Sequence, residues 1–201
     1  MDADIREHAL GLSWTIREVM RRSSHALVDD GGGVWLVDPV AHEEALARAA
    51  DLGEFRGVIQ LLDRHDRDCA ELAGRLGVPH HRLSDGGIAG APFEVTRVIW
   101  LRPWHELSLW WPARRALVVA ESLGTAPAWA LAGPPVGVHP MLRLLPPGRV
   151  LRAHDPEHLL VGHGEPLHGP DLAAQVRQAL KRSRWDLPRL PLALPRVLRG
   201  S

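Results

Sequence analysis

The chain lacks several things, and each absence removes a class of protein. Cys69 is the single cysteine among 201 residues, so no internal disulfide can form and a reducing, cytoplasmic setting fits. Tyrosine is absent, phenylalanine occurs twice, and Lys181 is the one lysine. Lys+Arg and Asp+Glu both number 24, a formal net charge of zero, and nothing in that balance points to nucleic acid or an acidic membrane surface. Arg21-Arg22 and Lys181-Arg182 are isolated and build no groove for a polyanion. No apolar run approaches a membrane span, and the acidic start Met1-Asp2-Ala3-Asp4 is unlike a signal peptide. The expectation is a cytoplasmic protein acting on a small-molecule substrate, with no nucleic acid and no membrane. A hydrophobic content of 45% is enough for one folded domain with a proper core.

Eight tryptophans and twelve histidines stand out in what is present. Three histidines occur where an apolar, strand-like run gives out. Gly57 to Leu62 leads into Asp63-Arg64-His65-Asp66-Arg67-Asp68. Val98-Ile99-Trp100-Leu101 leads into Arg102-Pro103-Trp104-His105-Glu106. Leu159-Leu160-Val161 leads into Gly162-His163-Gly164. Loops at strand ends converge while the sheet holds them still, so sites are built there. Three imidazoles delivered in this way, among acids, resemble a metal site.

Strands and helices alternate in the first half. Ser24–Val28 and Val34–Val37 flank Asp29-Asp30-Gly31-Gly32-Gly33, a hairpin turn composition. Residues 42–52 read as a helix closed by Gly53, and Asp68 to Leu76 as a helix ended by Gly77. Phe93 to Leu101, Leu107 to Trp111 and Ala116 to Ala120 read as strands, with Pro112 to Arg115 as a hairpin. A short helical stretch lies near Met141, and Asp171 to Lys181 reads as a late helix.

Taken in order, these pieces resemble the metallo-β-lactamase superfamily. They are a hairpin ending in Leu36-Val37-Asp38, a strand opening on an HxHxDH-like segment, a lone histidine before a hairpin, an acid after the next strand, and a late Gly-His-Gly. The resemblance implies an α/β fold, a four-layer αββα sandwich. Residues 1–184 form one such domain, and 185–201 a Pro/Leu/Arg-rich arm that packs on the body or hangs loose. Asp38 matches a strand-end acid that is structural in the family. The ligand positions fall on Asp63, His65, Arg67, Asp68, His105, Glu121 and His163. The family's first motif histidine is Asp63 here, its aspartate is Arg67, and its last motif histidine is Asp68.

The resemblance therefore implies one divalent metal at most, zinc first, with iron or manganese as alternatives. Asp63, His65 and His105 would hold it, and Glu121 would add a carboxylate. Asp68 and His163 are what remains of the second site. Arg67 has no lone pair to donate, and its charge would replace the second cation. Two functions follow. One is a metal-dependent hydrolase of a small ester, thioester or phosphoester, in which Asp68 or Glu121 takes a proton and Arg67 stabilises charge on substrate oxygen. The other is an inactive, metal-free relative that serves as a binding or protein-interaction module.

Other residues have plainer readings. His80-His81 is discounted as a metal pair, because adjacent residues in an extended segment face opposite ways. His25 begins an early strand near the site rim, and Cys69 packs inward on its helix. One of Trp110 and Trp111 faces in and the other out. Trp104 replaces a small family glycine and narrows the pocket or walls it. The Trp- and Leu-rich stretch 100–111, with the C-terminal arm, offers an apolar patch for a homodimer.

Overall fold

The computed structural model describes residues 1–65, 67–131 and 135–189. Its first sheet runs through β1 (Ala3–His8), β2 (Gly11–Ile16), β3 (Ser23–Val28), β4 (Gly33–Val37), β5 (Glu54–Gln60) and β6 (His80–Arg82), in that spatial order. Helix α1 (Glu43–Leu52) joins β4 to β5, and α2 (Cys69–Leu76) joins β5 to β6. Both are crossovers between parallel strands. The His42 imidazole accepts the Ala45 N–H at the start of α1, and Gly77 ends α2 in the left-handed region at φ 68°.

The second half supplies β7 (Glu94–Leu101), β8 (Trp104–Trp111), β9 (Ala116–Val119), the two-residue pair β10 (Leu123–Gly124) and β11 (Gly137–Val138), helix α3 (Gly148–Leu151), β12 (His158–Val161), β13 (Leu167–His168) and helix α4 (Leu172–Arg182). The second sheet has the order β13-β12-β9-β8-β7, with β12 parallel to β9.

Side-chain alternation sorts the strand residues into layers. Val34 and Leu36 of β4 face out and pack with Ala45, Leu46, Ala49, Leu72 and Ala73 of α1 and α2. Trp35 and Val37 face in and meet Leu109, Trp111, Ala116 and Val118 of the other sheet. Leu117 and Val119 face out again, onto Leu172, Val176, Ala179 and Leu180 of α4. Three apolar layers separated by two sheets are an αββα sandwich. Trp111 is buried and Trp110 only half-buried, as alternation requires.

One pair of strands was not foreseen. β1 and β2 form an antiparallel hairpin over residues 3–16. β1 is a polar edge strand, Ala-Asp-Ile-Arg-Glu-His, with too few apolar residues to show a face. The arm expected at 185–201 begins as a 3-10 turn (Ser183–Arg189). Just before the arm, Ser183 Oγ donates to the Arg143 carbonyl and Arg184 Nε to the Leu144 carbonyl, and within it the Asp186 carbonyl accepts Arg143 Nη1–H at 3.3 Å. Residues 190–201 lie outside the described residues. No described helix is long and apolar enough to cross a membrane.

Candidate metal centre

Parallel pairing sends β4 and β5 to one edge of the first sheet, and β9 and β12 to one edge of the second. At that edge the sheets are joined by the bridges Leu62↔Glu106 and Arg22↔His163. Asp38 follows β4, His65 follows β5, Glu121 follows β9 and His163 follows β12, so four strand ends deliver four side chains to one place.

The two imidazoles are held in matching states. His65 Nδ1–H donates to Asp38 Oδ2 at 3.1 Å, and His163 Nδ1–H donates to the Met20 carbonyl at 2.8 Å. Both partners can only accept, so each ring keeps its proton on Nδ1 and turns an Nε2 lone pair inward. His65 Nε2 is 3.4 Å and His163 Nε2 3.7 Å from Glu121 Oε1. All three atoms lie within 4.8 Å of one another. Both Nε2 atoms are buried without a hydrogen-bond partner. Two lone pairs and a carboxylate facing each other repel unless a cation lies between them. Ligand atoms around a tetrahedral metal at 2.0–2.1 Å stand about 3.4 Å apart, so these residues fit a divalent metal.

Electrostatics agree with the geometry. Burial pushes the His163 imidazole down against the pull of Glu121, which keeps it in the neutral form a metal requires. Burial pushes the Glu121 carboxyl up, and the facing His163 and His65 rings pull it well below the usual carboxylate range only when their Nε2 atoms carry positive charge between them and the carboxylate, the place a metal cation takes. Asp38 is likewise held low: burial acts upward, and the bond to His65 overcomes it.

A second layer fixes these groups. Glu106 is fully buried; its Oε1 accepts the backbone N–H of Glu121 at 3.0 Å and of Ser122 at 2.9 Å, and its Oε2 accepts Trp104 Nε1 at 3.2 Å. Trp129 stacks on His163 with ring centroids 4.6 Å apart and planes 14° from parallel, and its Nε1 donates to the Glu121 carbonyl at 2.8 Å. On the outer side, Arg64 Nη2 donates to Glu121 Oε2 at 2.8 Å, and the guanidinium sits 4.1 Å over the Trp104 ring. His139 packs edge-on against Trp104 and Trp129. Its Nδ1 accepts the Met141 N–H, so Nε2–H points toward Glu121 Oε2, 3.9 Å away. Burial lowers this imidazole to about 4.

No family model and no curated protein matches the sequence. Solved structures do match. A structure of DIM-1 metallo-β-lactamase covers 91% of this chain and 99% of its own, at TM-score 0.59 and 13% identity. The metallo-β-lactamase from Pontibacter korlensis covers 89% and 93%, at TM-score 0.56 and 12% identity. A structure of TMB-1 covers 91% and 99%, at TM-score 0.58 and 16% identity. The fold is that of the metallo-β-lactamases.

Within the metallo-β-lactamase fold, the positions named from sequence are used unevenly. His65, Glu121 and His163 come together. Asp63 and His105, grouped with His65 by sequence, instead close on each other: Asp63 Oδ2 accepts both the backbone N–H and the Nδ1–H of His105, each at 3.0 Å. A carboxylate is shorter than the imidazole it replaces, and this one bonds the neighbouring strand. Asp68 turns away, accepting the Ala41 N–H through Oδ2 at 2.6 Å. Arg67 does not lie against a pair of acids. Its guanidinium donates to the backbone carbonyls of Ser23 at 2.5 Å, Asp38 at 2.8 Å and Gly162 at 2.8 Å. His25 is fully buried, bonded to Ser13 Oγ and the Val161 carbonyl, away from the rim. Asp66 lies outside the described residues. Glu106, Trp129 and His139 carry no sequence signal: each looks locally like an ordinary strand or loop residue.

Proposed function

We propose that the protein is a mononuclear metal-dependent hydrolase of a small ester, thioester or phosphoester, with His65, Glu121 and His163 as ligands. The observation that carries this reading is the pair of buried, unpartnered Nε2 atoms facing Glu121 Oε1 at metal-ligand spacing. A divalent metal bound there, zinc by the tetrahedral spacing, would supply Lewis acidity to acidify water and polarise a carbonyl or phosphoryl oxygen. Asp38 and the Met20 carbonyl hold the two imidazoles in the ligating tautomer, as the hydrogen-bond partners behind metal-bound imidazoles do. Glu106 and Trp129 fix the Glu121 backbone. Arg64 and the Nε2–H of His139 present donors on the outer side of Glu121, where negative charge on a substrate oxygen would be met. This gives Arg64 the role the sequence assigned to Arg67, and it leaves Asp68 without a part in proton transfer.

One observation favours the metal-free alternative, a non-catalytic binding module. Arg64, stacked on Trp104, already neutralises Glu121 and lies across the outer side of the centre. The two readings separate on metal content by plasma mass spectrometry. Wild type and His105→Ala should each carry about one zinc, iron or manganese per chain, and His65→Ala/His163→Ala should carry none. An ester, thioester and phosphodiester screen would follow. Absence of metal from wild type even after reconstitution would sink the hydrolase reading and leave the alternative.

A further inference from the structure

The other end of β12 carries a second histidine group. His158 opens β12 and His168 ends β13, and antiparallel register sets the two opposite each other. Their Nδ1 atoms are 2.8 Å apart, so one ring donates an N–H to the other. The ring of His8, from β1 in the other sheet, lies 5.0 Å from that of His168. Both nitrogens of His8 are already engaged. Nδ1 accepts the Leu10 N–H at 3.3 Å, and Nε2–H donates to Ser13 Oγ at 2.8 Å. His8 thus backs the pair and leaves the two Nδ1 atoms as its donor set.

We propose that His158 and His168 form a second, separate metal site that takes copper(II) or nickel(II) through their Nδ1 atoms. Adjacent ligands of a square or tetragonal shell at about 2.0 Å stand about 2.8 Å apart, against about 3.4 Å for a tetrahedral one. The pair, now at N–H···N hydrogen-bond length, can close on such a shell with little movement, and imidazole nitrogens suit copper and nickel. Entry requires only that the donating ring move its proton from Nδ1 to Nε2, with no net proton release. Burial lowers both imidazoles; it outweighs the upward pull of Glu157 on His158, and His158 lowers His168 further, so both are neutral at pH 7. His168 is exposed and His158 half-buried, which leaves room for water in the remaining positions. The bound ion would clamp the two-residue edge strand β13 to β12.

The test is a copper(II) titration followed by electron paramagnetic resonance on His65→Ala/His163→Ala, which lacks the imidazoles of the first centre, alone and combined with His158→Asn/His168→Asn. The expected result is a tetragonal signal with splitting from two imidazole nitrogens in His65→Ala/His163→Ala, lost when His158→Asn/His168→Asn is added. Circular dichroism checks that variant's fold, and the exposed single change His168→Gln repeats the test should the double variant unfold. Persistence of the signal when His158 and His168 are replaced in that background, or its absence from His65→Ala/His163→Ala, would overturn the proposal.

Discussion

The guanidinium of Arg67 joins the start of β3, the end of β4 and the loop that presents His163, through three backbone carbonyls. Arg67→Met leaves those acceptors unmet in a desolvated place, so it should cost about 3 kcal/mol or more, read as a lower urea midpoint. Arg67→Lys should recover only part of this, because a compact ammonium cannot reproduce the planar fork. Metal content per folded chain should not change in either variant. Asp38→Asn tests the opposite role. The side chain keeps its shape but no longer offers a carboxylate on both sides, so zinc affinity should fall about 10–100-fold by equilibrium dialysis while the fold survives. At this scale sequence legibility divides cleanly. His65, Glu121 and His163 are visible because each is a polar residue closing an apolar run. Glu106 is not, because in Trp104-His105-Glu106-Leu107-Ser108 an acid reads as an outward strand residue, and its three N–H partners come together only through folding. His139 and Trp129 are hidden for the same reason.

The loop after β12 is shaped by its glycines. A Cβ on Gly162 would stand 2.2 Å from the Ala120 carbonyl oxygen and 3.0 Å from His65 Cε1, and Gly164 adopts φ +97° against Thr125. The Gly-His-Gly segment can therefore pass between two backbones and still bring His163 to Glu121. Gly162→Ala should push β9 and the β12 loop apart, costing about 1–3 kcal/mol and lowering zinc affinity together. A variant that lost stability but bound zinc as wild type does would place the glycine's role in folding alone. Elements buried on both faces, such as β5, β9 and β12, were legible from their apolar runs, and the first two helices from their periodicity and the closing Gly53 and Gly77. The β1–β2 hairpin was not. β2 itself alternates, with Leu12, Trp14 and Ile16 packed outward among the helices, but its partner β1 is polar and shows no matching face; the inner face of β2 is polar too, Ser13 bonded to His25 and Thr15 to Ser23 of β3.

That polar layer links the two sheets through one chain of hydrogen bonds and sets how the whole molecule responds to acid. The Leu10 N–H fixes His8 Nδ1 as an acceptor, so His8 Nε2–H donates to Ser13 Oγ, Ser13 donates to His25 Nδ1, and His25 Nε2–H donates to the Val161 carbonyl of the second sheet. Every member is satisfied only while both imidazoles are neutral, since a second proton on either ring would face a donor. Burial lowers His25 from 6.5 to about 3 and His8 to about 4, with neighbouring histidines adding to the shift in both. The unfolded chain binds these protons near pH 6.5, and the folded one resists until far lower. The stability the pair contributes is therefore fully present above about pH 6.5 and is lost as the pH falls from there toward 3–4, at up to about 1.4 kcal/mol per pH unit for each imidazole. Urea midpoints measured between pH 7.5 and 4.5 should fall below pH 6.5 with that slope. His25→Gln can still accept from Ser13 and donate to Val161 but cannot titrate. It should be less stable at pH 7 and show a distinctly shallower acid slope. An acid slope as steep in His25→Gln as in wild type would move the proton-sensitive element elsewhere in the molecule, with the Asp38 and Glu121 carboxylates next in line, because both are held ionised by the fold and lose that stability in acid.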